Sequence, residues 1–222
     1  MRSRLFSPRA TTVFRATLVA AALVVVLGAT GYYHYYRSPF WNGVGVAHDQ
    51  PVLFSHRHHA GELRIDCRYC HTSVETSPFA GMPGTRTCLT CHSQLFTDSP
   101  MLEPVVESAR TGQPLPWNRI TALPDHVYFN HSIHIAKGVA CVTCHGDIGS
   151  MALTSQGKHL HMRWCVDCHR DPGPGLEPAL DTVFVPHPVD RTQAADVPRP
   201  AELLIARDVR TDALTNCSTC HH

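Results

Sequence analysis

FNHSIHIAKGVACVTCH at 129–145, then nineteen residues, then CVDCH at 165–169 form the stretch from which the rest of the chain can be read. It holds two Cys-x-x-Cys-His pentads and, just upstream of the first, a His-x-x-His pair, His131 and His134. Two cysteines at that spacing can form thioethers with the two vinyl groups of one haem, and the adjacent histidine is then held beneath the iron as its proximal ligand. One pentad therefore reads as one covalently held haem.

Working outward, three more pentads stand at 67–71 (CRYCH), 88–92 (CLTCH) and 217–221 (CSTCH). All ten cysteines fall within pentads: Cys67, Cys70, Cys88, Cys91, Cys141, Cys144, Cys165, Cys168, Cys217 and Cys220. Cys-x-x-Cys pairs also bind zinc. Histidine, however, is 17 of 222 residues, so five pairs all followed by histidine would arise by chance about three times in a million. The prediction is five haem c groups with proximal ligands His71, His92, His145, His169 and His221.

The chain carries an internal repeat. Phe54-x-His56-x-x-His59 matches Phe129-x-His131-x-x-His134, with seven residues before the pentad in the first copy and six in the second. Residues three apart on a helix or tight turn share a face, so each pair can offer two imidazoles to the sixth positions of two neighbouring irons. His56, His59, His131 and His134 are thus the expected distal ligands of four haems, in two two-haem blocks. The fifth pentad lies outside the repeat, and its distal ligand is open among Met162, His159, His161, His187 and His222. Met162 stands three residues before Cys165, where a thioether could reach an iron and raise its potential. His58 breaks the repeat and reads as an exposed polar residue. His126 has no counterpart in the first copy and reads as structural. His34 and His48 read as interfacial and connector residues.

At the N-terminus Arg2, Arg4, Arg9 and Arg15 occur without an acidic residue, and 16–33 is free of charge. Eighteen helical residues cover about 27 Å, close to a bilayer core. Tyr32, Tyr33, Tyr35, Tyr36, Phe40 and Trp41 follow as an aromatic belt would. A cleaved signal peptide is the competing reading, with Ala29-Thr30-Gly31 as its cleavage site. The expectation is a single-pass anchor in the inner (cytoplasmic) membrane, N-terminus cytoplasmic and haem domain periplasmic. Cysteine usage agrees, because free thiols in an oxidising compartment would pair unless haem attachment consumed them.

Beyond the anchor, roughly 37 residues per haem are too few to wrap each one in a large polypeptide core. The expected fold is a mostly α and irregular multihaem cytochrome c with a haem-dominated core and little β-sheet, behind one N-terminal transmembrane helix. The expected divisions are a cytoplasmic N-terminus (1–15), the anchor (16–36), a connector (37–53), the first di-haem unit (54–100), a helix and linker (101–128), the second di-haem unit (129–170), and a wrapping segment with the fifth haem (171–222). Between the repeats, Ser99-Pro100 followed by Leu102, Val105, Val106 and Ala109 predicts a capped amphipathic helix stopped by Gly112. The formal charge of +1 becomes 15 basic against 18 acidic residues once the four N-terminal arginines are set aside. Ionised haem propionates add to that acidity, which excludes nucleic acid as a partner and suits a redox partner with a basic face.

The segments QPVLFSHRHH, IDCRYCHTSVE, AGMPGTRTCLTCH, LPDHVYFNHSIH, GVACVTCHGDI, MRWCVDCHR and NCSTCHH span most of the chain. Together they resemble the membrane-anchored pentahaem cytochrome subunit of alternative complex III, a bacterial quinol oxidoreductase. The resemblance implies an electron-transfer subunit without a substrate site of its own, relaying electrons from quinol oxidation towards a periplasmic acceptor such as a soluble cytochrome c. It implies as neighbours an iron–sulfur protein, polytopic quinol-binding subunits and often a monohaem cytochrome. It also implies Met162 as the fifth distal ligand. The alternative is a self-contained, membrane-anchored multihaem quinol dehydrogenase, which the absence of any acidic residue or histidine in 16–33 disfavours. A multihaem reductase of nitrite or a sulfur compound would want a five-coordinate haem, frequently with a lysine ligand, and every pentad here ends in histidine.

Overall fold

The computed structural model describes residues 7–189 and 199–221. Arg2, Arg4, His222 and 190–198 of the proline-rich segment lie outside the described residues. The chain divides into two compact units, Met1–Gly43 and Val44–His222.

In the first unit, α1 (Pro8–Arg37) begins where Ser7 accepts a hydrogen bond from the Ala10 amide and Pro8 supplies a preset φ. Its 30 residues extend about 45 Å. An 18-residue window within it has a mean hydropathy of 2.1, and none of that window is buried. Such a helix is long and apolar enough to cross a membrane, and near an N-terminus it fits an anchor or a signal alike. A short α2 (Pro39–Asn42) folds its aromatics back on α1, with Trp41 5.6 Å from Tyr35 and 5.8 Å from Tyr36 between ring centroids.

The second unit has no named strand among the described residues, and its only β pairing there consists of isolated bridges. The pentads lie on short helices: α3 (Cys67–Cys70), α4 (Thr85–His92), α7 (Cys141–His145), α8 (Met162–Arg170) and α10 (Cys217–Cys220). Asp66 starts α3 by accepting from the Arg68 amide at 2.8 Å. The amides of His71 and His221 each close on the carbonyl of their pentad's first cysteine at 2.9 Å. Helical spacing then sets both cysteines and the histidine on one face, as attachment to a single haem demands.

The repeat survives as structure, and its length mismatch has a local cause. In the second copy His131 and His134 lie on α6 (His131–Ala136), whereas in the first His59 lies on a π-helical turn, Arg57–Glu62. There the Leu63 amide reaches back five residues to the His58 carbonyl, and the Lys137 amide reaches back four to Ile133. The extra residue of the first copy is thus taken up as a π-turn. The ring geometry is unchanged. Phe54 stacks on His59 at 4.4 Å and meets His56 edge-on at 4.9 Å; Phe129 stacks on His134 at 4.6 Å and meets His131 edge-on at 4.8 Å. Gly61 within the turn abuts the Gly149 carbonyl so closely that a Cβ there would overlap it.

The amphipathic helix expected after Ser99 is present as α5 (Glu103–Thr111), ended by Gly112 at φ +72°. Val105 is 2% exposed, and Ser108 shares a 2.6 Å hydroxyl bond with Thr85, which fastens α5 to the pentad helix α4. The shared apolar core is small: Val74, Ile135, Val183 and Phe184, with Cys67, Ala80 and Cys141 packed against them. Near the C-terminus α9 (Pro200–Ala206) buries Leu203, and Lys137 donates to the carbonyls of Arg207 and Asp208 at 2.9 Å. The mostly helical and irregular architecture is the one expected, with short helices carrying the pentads and little polypeptide core between them.

Candidate haem-binding sites

Four pentad histidines have an imidazole neighbour from outside their own pentad. His92 and His59 have ring centroids 6.1 Å apart, His145 and His131 6.4 Å, His169 and His134 6.2 Å, and His221 and His126 5.6 Å. No ring pair among the described residues brings a second imidazole to His71, but of the histidines that act electrostatically on His56, His71 acts most strongly. Metal–imidazole bonds are about 2.0–2.1 Å long, so two rings ligating one ion from opposite sides have centroids roughly 6.3 Å apart. The first three pairs meet that spacing. Each joins a pentad histidine to a repeat histidine.

Hydrogen bonds fix which ring nitrogen is left free. The Nδ1 of His71 bonds to the Gly81 carbonyl at 2.7 Å, that of His92 to Leu95 at 3.2 Å, and that of His169 to Leu214 at 2.9 Å. Among the repeat histidines, Nδ1 of His59 bonds to the Ser55 carbonyl, His131 to Pro78 and His134 to Asn130, at 2.9, 2.7 and 2.7 Å. His56 differs, since its Nδ1 lies 2.9 Å from the Thr154 hydroxyl. With Nδ1 carrying the proton and donating, Nε2 keeps its lone pair for a metal. Burial disfavours the imidazolium as well, pushing His56 and His145 down to about 4, with neighbouring histidines adding to the effect. His59 and His134 are lowered for the same first reason.

The pentads are linked in a series, some directly and some through an intervening residue. Tyr69 and Thr90 share a 2.6 Å hydroxyl bond between the pentads at 67–71 and 88–92. Cys67 and Cys141 pack into one core, joining 67–71 to 141–145. Thr143 and Cys168 lie on either hand of Gly175, each 3.9 Å from where a Cβ would sit, joining 141–145 to 165–169. The bond from His169 to Leu214 leads on to 217–221. The thiols follow suit: burial raises Cys70, with Cys88 adding to it, raises Cys144 to about 12, with Cys168 and Cys165 adding, and raises Cys165, with Cys220 adding.

Other candidates stand apart. Met162 opens α8 and is 66% exposed. His159 and His161 bring their Nδ1 atoms to 3.1 Å of each other. His187 bonds Asp147 at 2.7 Å through Nδ1, and His58 pairs with Glu62 at 2.9 Å on the surface. His126, which the sequence offers as a structural residue, lies beside His221, with ring centroids 5.6 Å apart. A signal was available: His126 stands three residues before Phe129, and the equivalent residue of the first copy is Pro51.

All ten cysteines are free, and among the described residues no three of His, Cys, Asp and Glu converge where a bare ion would sit. Paired imidazoles with cysteine pairs standing beside them suit covalently attached haem and not a zinc ribbon. No protein-family model matches the chain. It is similar to the "Menaquinone reductase, multiheme cytochrome c subunit" of Nitratidesulfovibrio vulgaris, at 29% identity over 161 residues, covering 63% of this chain and 77% of that protein. The architecture, the pentads and this likeness are those of a multihaem c-type cytochrome.

Proposed function

We propose that the chain is an electron relay carrying five haem c groups, one per pentad, within a membrane oxidoreductase complex linked to quinone. The single observation that carries this reading is the series of linked pentads, four of whose histidines have a second imidazole with ring centroids 5.6–6.4 Å away. Bound haem supplies a reversible one-electron couple. The residues do the rest. Cys67 and Cys70, Cys88 and Cys91, Cys141 and Cys144, Cys165 and Cys168, and Cys217 and Cys220 attach the groups. His71, His92, His145, His169 and His221 hold one axial position each, and His56, His59, His131 and His134 hold the opposite position at four of them. The carbonyls that accept from Nδ1 orient the rings and make them better donors. The contacts support a linear route in the order 88–92, 67–71, 141–145, 165–169, 217–221, which differs from the order in sequence.

The finer assignment is to a pentahaem subunit of the alternative complex III type, anchored by α1 in the inner membrane with its haem domain in the periplasm. Its partners are an iron–sulfur protein, polytopic quinol-binding subunits and a cytochrome c acceptor. The sequence resemblance supports it, and the named relative supports a quinone-linked assembly more broadly. No catalytic residue is assigned to this chain. The test is haem content with spin state: five haems per chain, all low-spin and inert to carbon monoxide and nitrite, is the expected result. A five-coordinate haem that binds carbon monoxide and turns over nitrite would replace the relay with a reductase.

A further inference from the structure

The repeat accounts for four distal histidines and leaves the C-terminal pentad without one. His59, His131 and His134 are already opposite His92, His145 and His169, and His56 neighbours His71. The ring left facing His221 is His126, at 5.6 Å between centroids and 18° between planes. We propose that His126 is the sixth ligand of the C-terminal haem, making all five irons bis-histidine and leaving Met162 out of the ligand set.

Backbone pairing sets this contact. Val127 and His221 form an antiparallel bridge, the Tyr128 amide donates to the Cys220 carbonyl at 2.7 Å, and Nδ1 of His221 bonds to the His126 carbonyl at 3.3 Å. Residues 126–128 and 220–221 therefore hold the two imidazoles in register through the main chain. The rings need to separate by roughly 0.7 Å to reach the spacing of a bis-imidazole ion.

This placement also explains the asymmetry of the repeat. Both blocks supply two histidines to their own two pentads, but only the second is asked to serve a fifth, and only it carries a histidine three residues before the phenylalanine. The first block has Pro51 there. Of the rival candidates, His222 lies outside the described residues, and His187, His159 and His161 have other neighbours. His187 is held by Asp147 beside Gly149, and His159 and His161 hold each other. Met162 is two-thirds exposed at the start of α8.

The inference rests on the five-haem relay reading, so haem content is counted in every sample; a wild-type chain with fewer than five haems fails that reading, not this one. The experiment records optical and magnetic circular dichroism spectra of full-length, haem-loaded wild type, His126→Ala, His126→Met and Met162→Leu in detergent. The expected wild type shows only bis-histidine iron, without the far-red sulfur-to-iron charge-transfer band. His126→Ala should turn one haem in five high-spin, with low-spin character restored by added imidazole. His126→Met should gain the sulfur band at one haem, and Met162→Leu should match wild type. A sulfur band in the wild type that disappears in Met162→Leu would overturn the proposal. That wild-type spectrum decides even if a His126 variant is poorly assembled.

Discussion

Thr154 gives unusual access to a single haem. The other histidines proposed as axial ligands whose Nδ1 contacts are described bond to main-chain carbonyls, but His56 bonds to the hydroxyl of Thr154, 98 positions away, at 2.9 Å. Replacing Thr154 with valine keeps the shape and removes the acceptor. A proton shared from Nδ1 gives the imidazole anionic character, which stabilises ferric over ferrous iron and lowers the potential. A hydrogen bond of this kind is worth about 0.5–1.5 kcal/mol, and a one-electron couple moves 59 mV for each tenfold change, so its loss should raise one potential by about 20–65 mV. Thr154→Ser keeps the acceptor and should leave the potential where it was. The assay is a spectroelectrochemical titration of the purified chain, resolved into its component couples. One component moving upward in Thr154→Val, with the rest still and all iron low-spin, is the expected outcome. No shift, or an equal shift in Thr154→Ser, would refute the assignment of His56 as an axial ligand oriented by Thr154.

Further outcomes follow from the packing and from the cofactor. Val105→Ala should cost about 2 kcal/mol from two buried methyl groups and the space they leave, lowering the melting temperature by about 4–8 °C with haem content unchanged. Gly61→Ala should destabilise by about 1–3 kcal/mol, since its Cβ meets the Gly149 carbonyl and main chain must shift, which circular dichroism melting would register. Expression in a host without haem attachment should yield a chain that limited proteolysis degrades rapidly after residue 44, because the apolar core contains few side chains.

The pentads and the two His-x-x-His pairs were legible from spacing alone, because covalent attachment fixes residue type and separation within five positions. The helix after Ser99 was legible too, its proline start and Gly112 stop being local signals. What lies between distant segments was not. The π-turn at Arg57–Glu62 shows in sequence only as one extra residue before Cys67, and nothing local says whether a loop or a turn absorbs it. The order of pentads depends on contacts such as Tyr69 with Thr90 and Cys67 with Cys141, between segments that sequence patterns do not relate. The pairing of His126 with His221 was not legible for the same reason. Its neighbour is 95 residues away, and the repeat that points to the other four candidate histidines has no copy of it.

The central claim is that this chain passes electrons on without collecting them from quinol itself. It is tested most directly by adding a quinol anaerobically to the purified, detergent-solubilised chain, free of other subunits, and following haem absorbance. Reduction by dithionite but not by quinol is expected, with quinol reduction restored in the intact membrane assembly. Prompt reduction of the isolated chain by quinol would contradict it and make the protein a quinol dehydrogenase in its own right.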